Sequence, residues 1–182
     1  ISTWKHGIEA TKKAIGILQN NGTAIDSVEQ GVKLTESDPK VRTVGYGGYP
    51  DHTGEVTLDA SIMDHQNNAG CVAYLKNIKH PISVARKVME LSRHVMLVGQ
   101  GAYDFAIENG FKHESLLTDQ SKKDWIEWNK DKNPKEISDK NHDTITQLSK
   151  DNYGNLAGGS TTSGLAYKRK GRVGDSPIIG SG

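Results

Sequence analysis

The chain has 182 residues, of which 34% are hydrophobic and 25% charged, and its formal net charge at pH 7 is +1. This length is sufficient for one domain with a hydrophobic core. The near-neutral charge gives no reason to expect nucleic acid or an anionic membrane as a partner. No apolar run approaches the roughly 20 residues of a membrane-spanning helix. The single cysteine, Cys71, excludes an internal disulfide and is interpreted as a small buried hydrophobe.

The first part of the chain predicts two helices and then two strands. Apolar residues at helical spacing favour a helix from Gly7 to about Asn20 and a second from about Ala24 to Asp38. Residues 43–51 form a glycine-rich loop. It lacks the context of a phosphate-binding loop and indicates a tight loop where backbones approach closely. Alternating apolar and polar residues then predict strands at Val56–Met63 and Cys71–Leu75, joined by a hairpin connection.

Further helices are predicted from Pro81, over Gly101–Asn109 and from about Asp119, with a short strand at His94–Val98. The last helix carries Trp125 and Trp128 at positions i and i+3. Two exposed tryptophans can form a sugar platform. A packing seam is the commoner use of this spacing, and we favour it.

The end of the chain predicts a hairpin that follows a polar connector at residues 130–140. Strands are expected at Thr144–Ser149 and Asn155–Thr162 around a turn at residues 151–154. With a tight register this hairpin places Thr162 beside Thr144. The alternative is a Gly/Ser/Thr-rich hairpin without chemistry.

Thr144 follows His142 and Asp143 at the junction of the connector and the strand. A threonine hydroxyl is a poor nucleophile without a base. Cleavage before Thr144 would supply one, because the new α-amino group has an unperturbed pKa of about 7.7–8.0. Taken alone, these three residues are more typical of a polar loop without chemistry.

Several short motifs, taken together in chain order, resemble the glycosylasparaginases (aspartylglucosaminidases), a family of N-terminal-nucleophile amidohydrolases. The motifs are Ser2-Thr3-Trp4, Asp38-Pro39, residues 44–48, 56–60 and 95–99, Asn141–Thr144, residues 160–164 and residues 171–177. The resemblance implies an α/β fold, a four-layer αββα sandwich with two packed, largely antiparallel sheets between helices. It implies one domain over residues 1–182, with 1–143 resembling the α-subunit and 144–182 the start of the β-subunit.

The resemblance also implies the site residues. The catalytic residues are Thr144, Thr162, Asp143 and His142, and the substrate-binding residues are Arg172, Asp175, Trp4 and Thr43. Autoproteolysis between Asp143 and Thr144 would free Thr144 as the nucleophile, with Thr162 as a helper hydroxyl. The family's chemistry uses neither a metal nor another cofactor.

Arg172 and Asp175 match the charges of an asparagine-type substrate. An arginine binds a carboxylate with two parallel hydrogen bonds, and an aspartate complements an ammonium group. The Arg-Val-Gly-Asp spacing on a glycine-containing loop allows both to face one ligand. The alternative is a surface salt bridge between them, which would contribute about 0–1 kcal/mol to stability.

Two features depart from the family pattern. Thr146 and Gln147 stand where the family has a glycine and an apolar residue, so we expect a narrower cleft and an unusually polar strand. The sequence begins as a chain already started and ends at Gly182, before the Thr-Gly element that forms the family's oxyanion hole. We therefore expect a C-terminal continuation or a partner chain to complete the fold.

The implied function is hydrolysis of the N-acetylglucosamine–asparagine linkage. The alternatives are an asparaginase or isoaspartyl peptidase with the same mechanism, and an unprocessed, silent homologue or precursor. The expected partners are glycosylated asparagine and further copies in a homo-oligomer of α/β pairs, with no nucleic acid or membrane. Because the chain has no cysteine pair, we expect a bacterial periplasm rather than a lysosome.

Overall fold

The structure is a computed structural model that describes residues 7–130 and 144–182. The helices are α1 (Ile8–Gln19), α2 (Ala24–Ser37), α3 (Pro81–Leu91), α4 (Gly99–Glu108) and α5 (Asp119–Lys130). The strands are β1 (Leu58–Met63), β2 (Ala69–Leu75), β3 (Met96–Val98), β4 (Ile145–Lys150) and β5 (Leu156–Thr162). The predicted elements are all present with boundaries shifted by a few residues, and the α/β class is confirmed. No helix within the described ranges is long and apolar enough to span a membrane.

The five strands form one mixed sheet in the order β3-β2-β1-β5-β4. β1 is antiparallel to β2 and β5, β4 is antiparallel to β5, and only the β2–β3 pair is parallel. α3 packs on β1 and β2, α2 packs on β4 and β5, and α1 packs on α2. The largely antiparallel sheet and its helical layer agree with the predicted fold. The second sheet and second helical layer remain a prediction, because residues 7–130 and 144–182 contain this one sheet.

The two faces of the sheet differ in composition. Toward the helices, residues such as Ile62, Val72 and Ile145 are fully buried in the main core. Cys71 is 1% exposed, and burial raises the pKa of its thiol to about 11, as expected for a small buried hydrophobe. On the opposite face, here called the open face, β4 and β5 present Leu148 and Leu156, which are 62% and 60% exposed.

The polar character of β4 is explained by a buried cluster between this strand and α2. Gln147 is fully buried and donates from Nε2 to the carbonyl oxygen of Ser27 at 3.0 Å. The hydroxyls of Ser149 and Ser27 lie 2.9 Å apart. Gly31 makes room for the amide, since a Cβ there would lie 2.3 Å from Gln147 Oε1. The glutamine therefore sits in the helical layer and does not narrow the open face.

Gly31 and Gly16 offer a matched pair of helix glycines. A methyl group at Gly31 would also meet the carbonyl oxygen of Ala10 at 2.9 Å, whereas nothing lies within 4 Å of one at Gly16. We expect Gly31→Ala to lower the free energy of unfolding by about 1–3 kcal/mol through overpacking. Gly16→Ala should raise it by up to about 1 kcal/mol through helix propensity. Urea unfolding measures both, and equal effects at the two positions would contradict the described packing.

Candidate active site

The register of β5 places two predicted site residues, Thr144 and Thr162, in one row with a third polar residue, Asp59. In the β4–β5 ladder Ile145 pairs with Thr161, so continuing this register by one residue puts Thr144 opposite Thr162. On its other side Thr162 pairs with Asp59 of β1. Because side chains alternate between the faces of a sheet, Asp59, Thr162 and Thr144 all belong to the open face. The predicted proximity of Thr162 and Thr144 follows from this register.

Both threonine hydroxyls have neighbours from outside the hairpin. Thr144 Oγ1 lies 3.4 Å from the hydroxyl of the buried Ser176. The carbonyl of Ser176 in turn accepts a hydrogen bond of 2.7 Å from Ser61 Oγ on β1. Thr162 Oγ1 accepts from the backbone N–H of Gly164 at 2.9 Å and donates to the carbonyl oxygen of Thr43 at 3.3 Å. The segment after β5 is therefore fastened to the open face around the two hydroxyls.

Thr43 reaches the site through its backbone. Its carbonyl oxygen accepts from the N–H of Ser163 at 2.8 Å as well as from Thr162. The glycine-rich loop after Thr43 requires glycine at position 45, where φ is 60° and a Cβ would lie 2.3 Å from the carbonyl oxygen of Glu36. The close backbone approach predicted for this loop is confirmed.

A buried carboxylate supports the site from the helical side. Glu36 is fully buried, and its Oε1 accepts from the hydroxyl of Thr161 at 2.9 Å and from the N–H of Ile82 at 3.1 Å. Its Oε2 lies 3.0 Å from His80 Nδ1. Thr161 precedes Thr162 and faces the opposite side of the sheet. Glu36 thus ties β5 to the start of α3 directly behind the threonine row.

Arg172 and Asp175 lie on the loop that crosses the open face, here called the recognition loop (residues 172–175). Arg172 Nη1 is 2.9 Å and 3.0 Å from the positions that a Cβ would take at Gly164 and Gly174. Among the ion pairs of the described residues, none joins Arg172 to Asp175. The alternative of a surface salt bridge is therefore not what the structure contains, and both charges are available to a ligand.

Two buried charged residues at the site were missed by sequence reasoning. Lys168 is 5% exposed and donates from Nζ to the carbonyl oxygens of Ser163 at 2.8 Å and Thr57 at 3.2 Å. Burial lowers the pKa of Lys168 to about 8, the carboxylate of Asp59 opposes this shift, and Arg172 adds to it. Asp59 itself is fully buried. Asp59 belongs to the motif at residues 56–60, but the sequence assigned it no role, and Lys168 is the first residue of the basic run at 168–170.

The tryptophans of α5 form a packing seam, as favoured from their spacing. Trp128 stacks on Tyr167 with ring centroids 4.5 Å apart. Trp125 donates from Nε1 to the carbonyl oxygen of His52 at 3.2 Å. Of the remaining predicted site residues, Trp4, His142 and Asp143 lie outside the described residues.

Comparison with known proteins decides the family. A family model described as asparaginase matches residues 4–182. The chain belongs to this asparaginase family. It is 56% identical over its whole length to an N(4)-(beta-N-acetylglucosaminyl)-L-asparaginase of Elizabethkingia miricola, covering 54% of that protein. Proteins of the same name from Rattus norvegicus and Mus musculus are 38% and 36% identical, with 62% of each covered.

These relatives confirm the resemblance to glycosylasparaginases that the motifs indicate. The chain of this asparaginase-family member spans between half and two thirds of the length of the three relatives. The described residues therefore form a part of the family fold, and this part carries the threonine row and the recognition loop.

Lys168 predicts a pH dependence of stability with a defined sign. Its pKa is about 8 in the folded protein, against the ordinary lysine value of 10.5, because burial disfavours the charged form. The charged groups acting on it are Asp59, Asp51 and Arg172. Between these two pKa values the unfolded chain binds more protons, so this residue's contribution to the free energy of unfolding increases as the pH rises.

We expect the free energy of unfolding of Lys168→Met to lose this increase at alkaline pH, because methionine has a similar length and no charge. The exposed neighbour Lys170 provides the control, and Lys170→Met should retain the increase. Urea unfolding of the three proteins at pH 8 and pH 10 measures the difference. An identical pH dependence in wild type and Lys168→Met would contradict the burial of this ammonium group.

Proposed function

We propose that the full-length protein hydrolyses the amide bond between N-acetylglucosamine and the side chain of asparagine, with Thr144 as an N-terminal nucleophile. The observation that carries this proposal is the row on the open face, in which the register sets Thr144 opposite Thr162 and beside Ser176. The adjacent recognition loop supplies one cation and one anion that are not paired with each other. The names of the relatives support the same chemistry.

The first step of the proposal is self-cleavage between Asp143 and Thr144. The Thr144 hydroxyl attacks the carbonyl carbon of Asp143, the peptide C–N bond breaks, and the nitrogen takes a proton to become the α-amino group. Water then hydrolyses the resulting ester and releases Asp143 as a carboxylate. In this scheme His142 and Asp143 orient the hydroxyl and accept its proton. Residues 1–143 and 144–182 then belong to an α-subunit and to the start of a β-subunit.

The second step is catalysis by the freed Thr144. Its α-amino group takes the hydroxyl proton while the oxygen attacks the side-chain amide carbon of the substrate. The C–N bond breaks, the sugar amine leaves with a proton, and an aspartyl ester remains for water to hydrolyse. The Thr162 hydroxyl assists beside the nucleophile. Arg172 binds the substrate α-carboxylate and Asp175 its α-ammonium group, while Trp4 and Thr43 belong to the cleft.

A second candidate is an asparaginase or isoaspartyl peptidase, because the family model itself carries the description asparaginase. The two candidates differ only in the leaving group. Assays with glycosylated asparagine, plain asparagine and a β-aspartyl peptide distinguish them. Preference for the glycosylated substrate supports the main proposal. We further propose that the protein assembles as a homo-oligomer of α/β pairs in a bacterial periplasm.

Variants of Thr144 test self-cleavage. We expect Thr144→Ala to stay intact because it lacks the attacking oxygen, and Thr144→Cys to be cleaved more slowly than the wild type. Thr146 is a matched control, since it faces the same side of β4 and donates to Ser160 Oγ at 3.1 Å. Thr146→Ala should still be cleaved. Intact mass over time measures all four proteins, and cleavage of Thr144→Ala at the same bond would remove the proposal.

Variants of Arg172 test substrate recognition. We expect Arg172→Gln to raise KM for glycosylated asparagine by roughly ten- to a hundredfold, the range for loss of a charged hydrogen bond. The exposed Arg169 is the control, because only its backbone carbonyl contacts Arg172. Arg169→Gln should leave KM unchanged. Steady-state kinetics decide, and an unchanged KM in Arg172→Gln would show that this side chain does not bind the substrate.

A further inference from the structure

Asp59 is a buried carboxylate that binds two backbone donors from distant parts of the chain. Its Oδ1 accepts from the N–H of Tyr74 on β2 at 2.8 Å, and its Oδ2 accepts from the N–H of Gly174 at 3.1 Å. Asp59 also pairs with Thr162 across the sheet. One side chain therefore connects the threonine row with the middle of the recognition loop.

Tyr74 shows how closely the sheet is adapted to this carboxylate. The residue has a φ of 53°, in the left-handed region that side chains rarely adopt. The β1–β2 register shifts between Leu58 and Ala60, at the position of Asp59. This local irregularity directs the N–H of Tyr74 to the carboxylate rather than to a ladder partner. The strand backbone is thus shaped around Asp59.

Lys168 holds the other side of the same region. It donates to the carbonyl oxygens of Ser163, directly after Thr162, and of Thr57, two residues before Asp59. Its ammonium group and Arg172 Nη1 both approach Gly164, at 3.0 Å and 2.9 Å from the position of an added Cβ. Of the neighbouring charges that stabilise the ammonium, Asp59 has the largest effect. Asp59 and Lys168 are thus two buried, opposite charges beneath the recognition loop, and they interact electrostatically without a direct ion pair.

Burying these two charges is unfavourable for stability, which indicates that they have a role in positioning other groups. Removing two ions from water is strongly unfavourable, and apolar replacements of similar volume are often neutral or stabilising. Here Asp59 binds the backbone N–H groups of Gly174 in the recognition loop and of Tyr74 in β2. Lys168 binds the backbone carbonyls of Ser163, directly after Thr162, and of Thr57, just before β1. This arrangement is suited to fixing the distance between the recognition loop and β1.

We propose that Asp59 and Lys168 are positioning residues for substrate recognition, holding Gly174 and Ser163 so that Arg172 and Asp175 keep the spacing that matches an α-amino acid. The inference rests on the proposed function, because that function makes Arg172 and Asp175 the residues that bind the substrate. It assigns no contact between Asp59 or Lys168 and the substrate. It predicts an effect on binding that is separate from self-cleavage before Thr144.

The test compares Asp59→Asn, Lys168→Met and the double variant in the full-length protein. Asparagine lacks the second acceptor oxygen that Gly174 requires, and the double variant avoids leaving one buried charge unpaired. Controls are Asp64→Asn, a half-buried carboxylate after the end of β1, and the exposed Lys170→Met. Three quantities are measured: the extent of cleavage by intact mass, KM and kcat for glycosylated asparagine, and the Kd for L-aspartate.

We expect Asp59→Asn and the double variant to be cleaved like the wild type but to show KM and Kd values raised roughly ten- to a hundredfold. The controls should match the wild type. Unchanged KM and Kd in a folded Asp59→Asn would overturn the proposal. Joint loss of cleavage and binding in all three variants would also overturn it, since the pair would then serve the fold alone.

The L-aspartate arm separates this inference from the proposed function. L-aspartate presents the same α-carboxylate and α-ammonium groups and needs no reaction. A wild-type protein that hydrolyses no substrate, but binds L-aspartate with an affinity that falls in Asp59→Asn, would contradict the proposed function and support the positioning role. A wild-type protein that does not bind L-aspartate would overturn the positioning role.

Discussion

The register of β5 between β1 and β4 is the constraint on which the candidate site depends. It aligns Asp59, Thr162 and Thr144 across three strands on the open face, and Ser61, Ser160 and Thr146 in the next row. A slip of β5 by one residue would turn Thr162 and Ser160 toward the helices and remove them from both rows. The chemistry proposed for Thr144 therefore begins with a pairing of strands that are more than eighty residues apart in the sequence.

That register is defined from the helical side as much as from the open face. Thr161 is held by the buried carboxylate of Glu36, which also binds the start of α3. Gln147 is held by Ser27, and Gly31 leaves the space for it. These contacts suit only one alternation of β4 and β5. The polar residues of β4 thus contribute specificity to the pairing.

The sequence predicted the parts of the structure that depend on local pattern. Helical spacing, strand alternation and turn residues located the elements, and the hairpin length brought Thr162 to Thr144. Strand β1 begins two residues later than predicted, because Val56 packs with Leu58 and Leu116 in a small separate cluster. Such packing has no local signature.

Asp59, Lys168 and Glu36 could not be assigned a role from the sequence. Each acts on backbone or hydroxyl groups that lie far away along the chain, such as Gly174, Thr57 and Thr161. Their sequence contexts, an alternating strand, a basic run and an amphipathic helix, are ordinary. Only the fold turns them into buried charges around the threonine row. Arg172 and Asp175, by contrast, share one short loop, and the family resemblance together with this spacing led to the proposal that they bind one ligand.

N-terminal sequencing of the purified full-length protein tests the central claim most directly. In the proposed mechanism Thr144, opposite Thr162, gains its own α-amino group, which then acts as its base. Two polypeptides are therefore expected, one of which begins Thr-Ile-Thr-Gln, at residues 144–147. A single uncut polypeptide that nevertheless hydrolyses glycosylated asparagine would contradict the account.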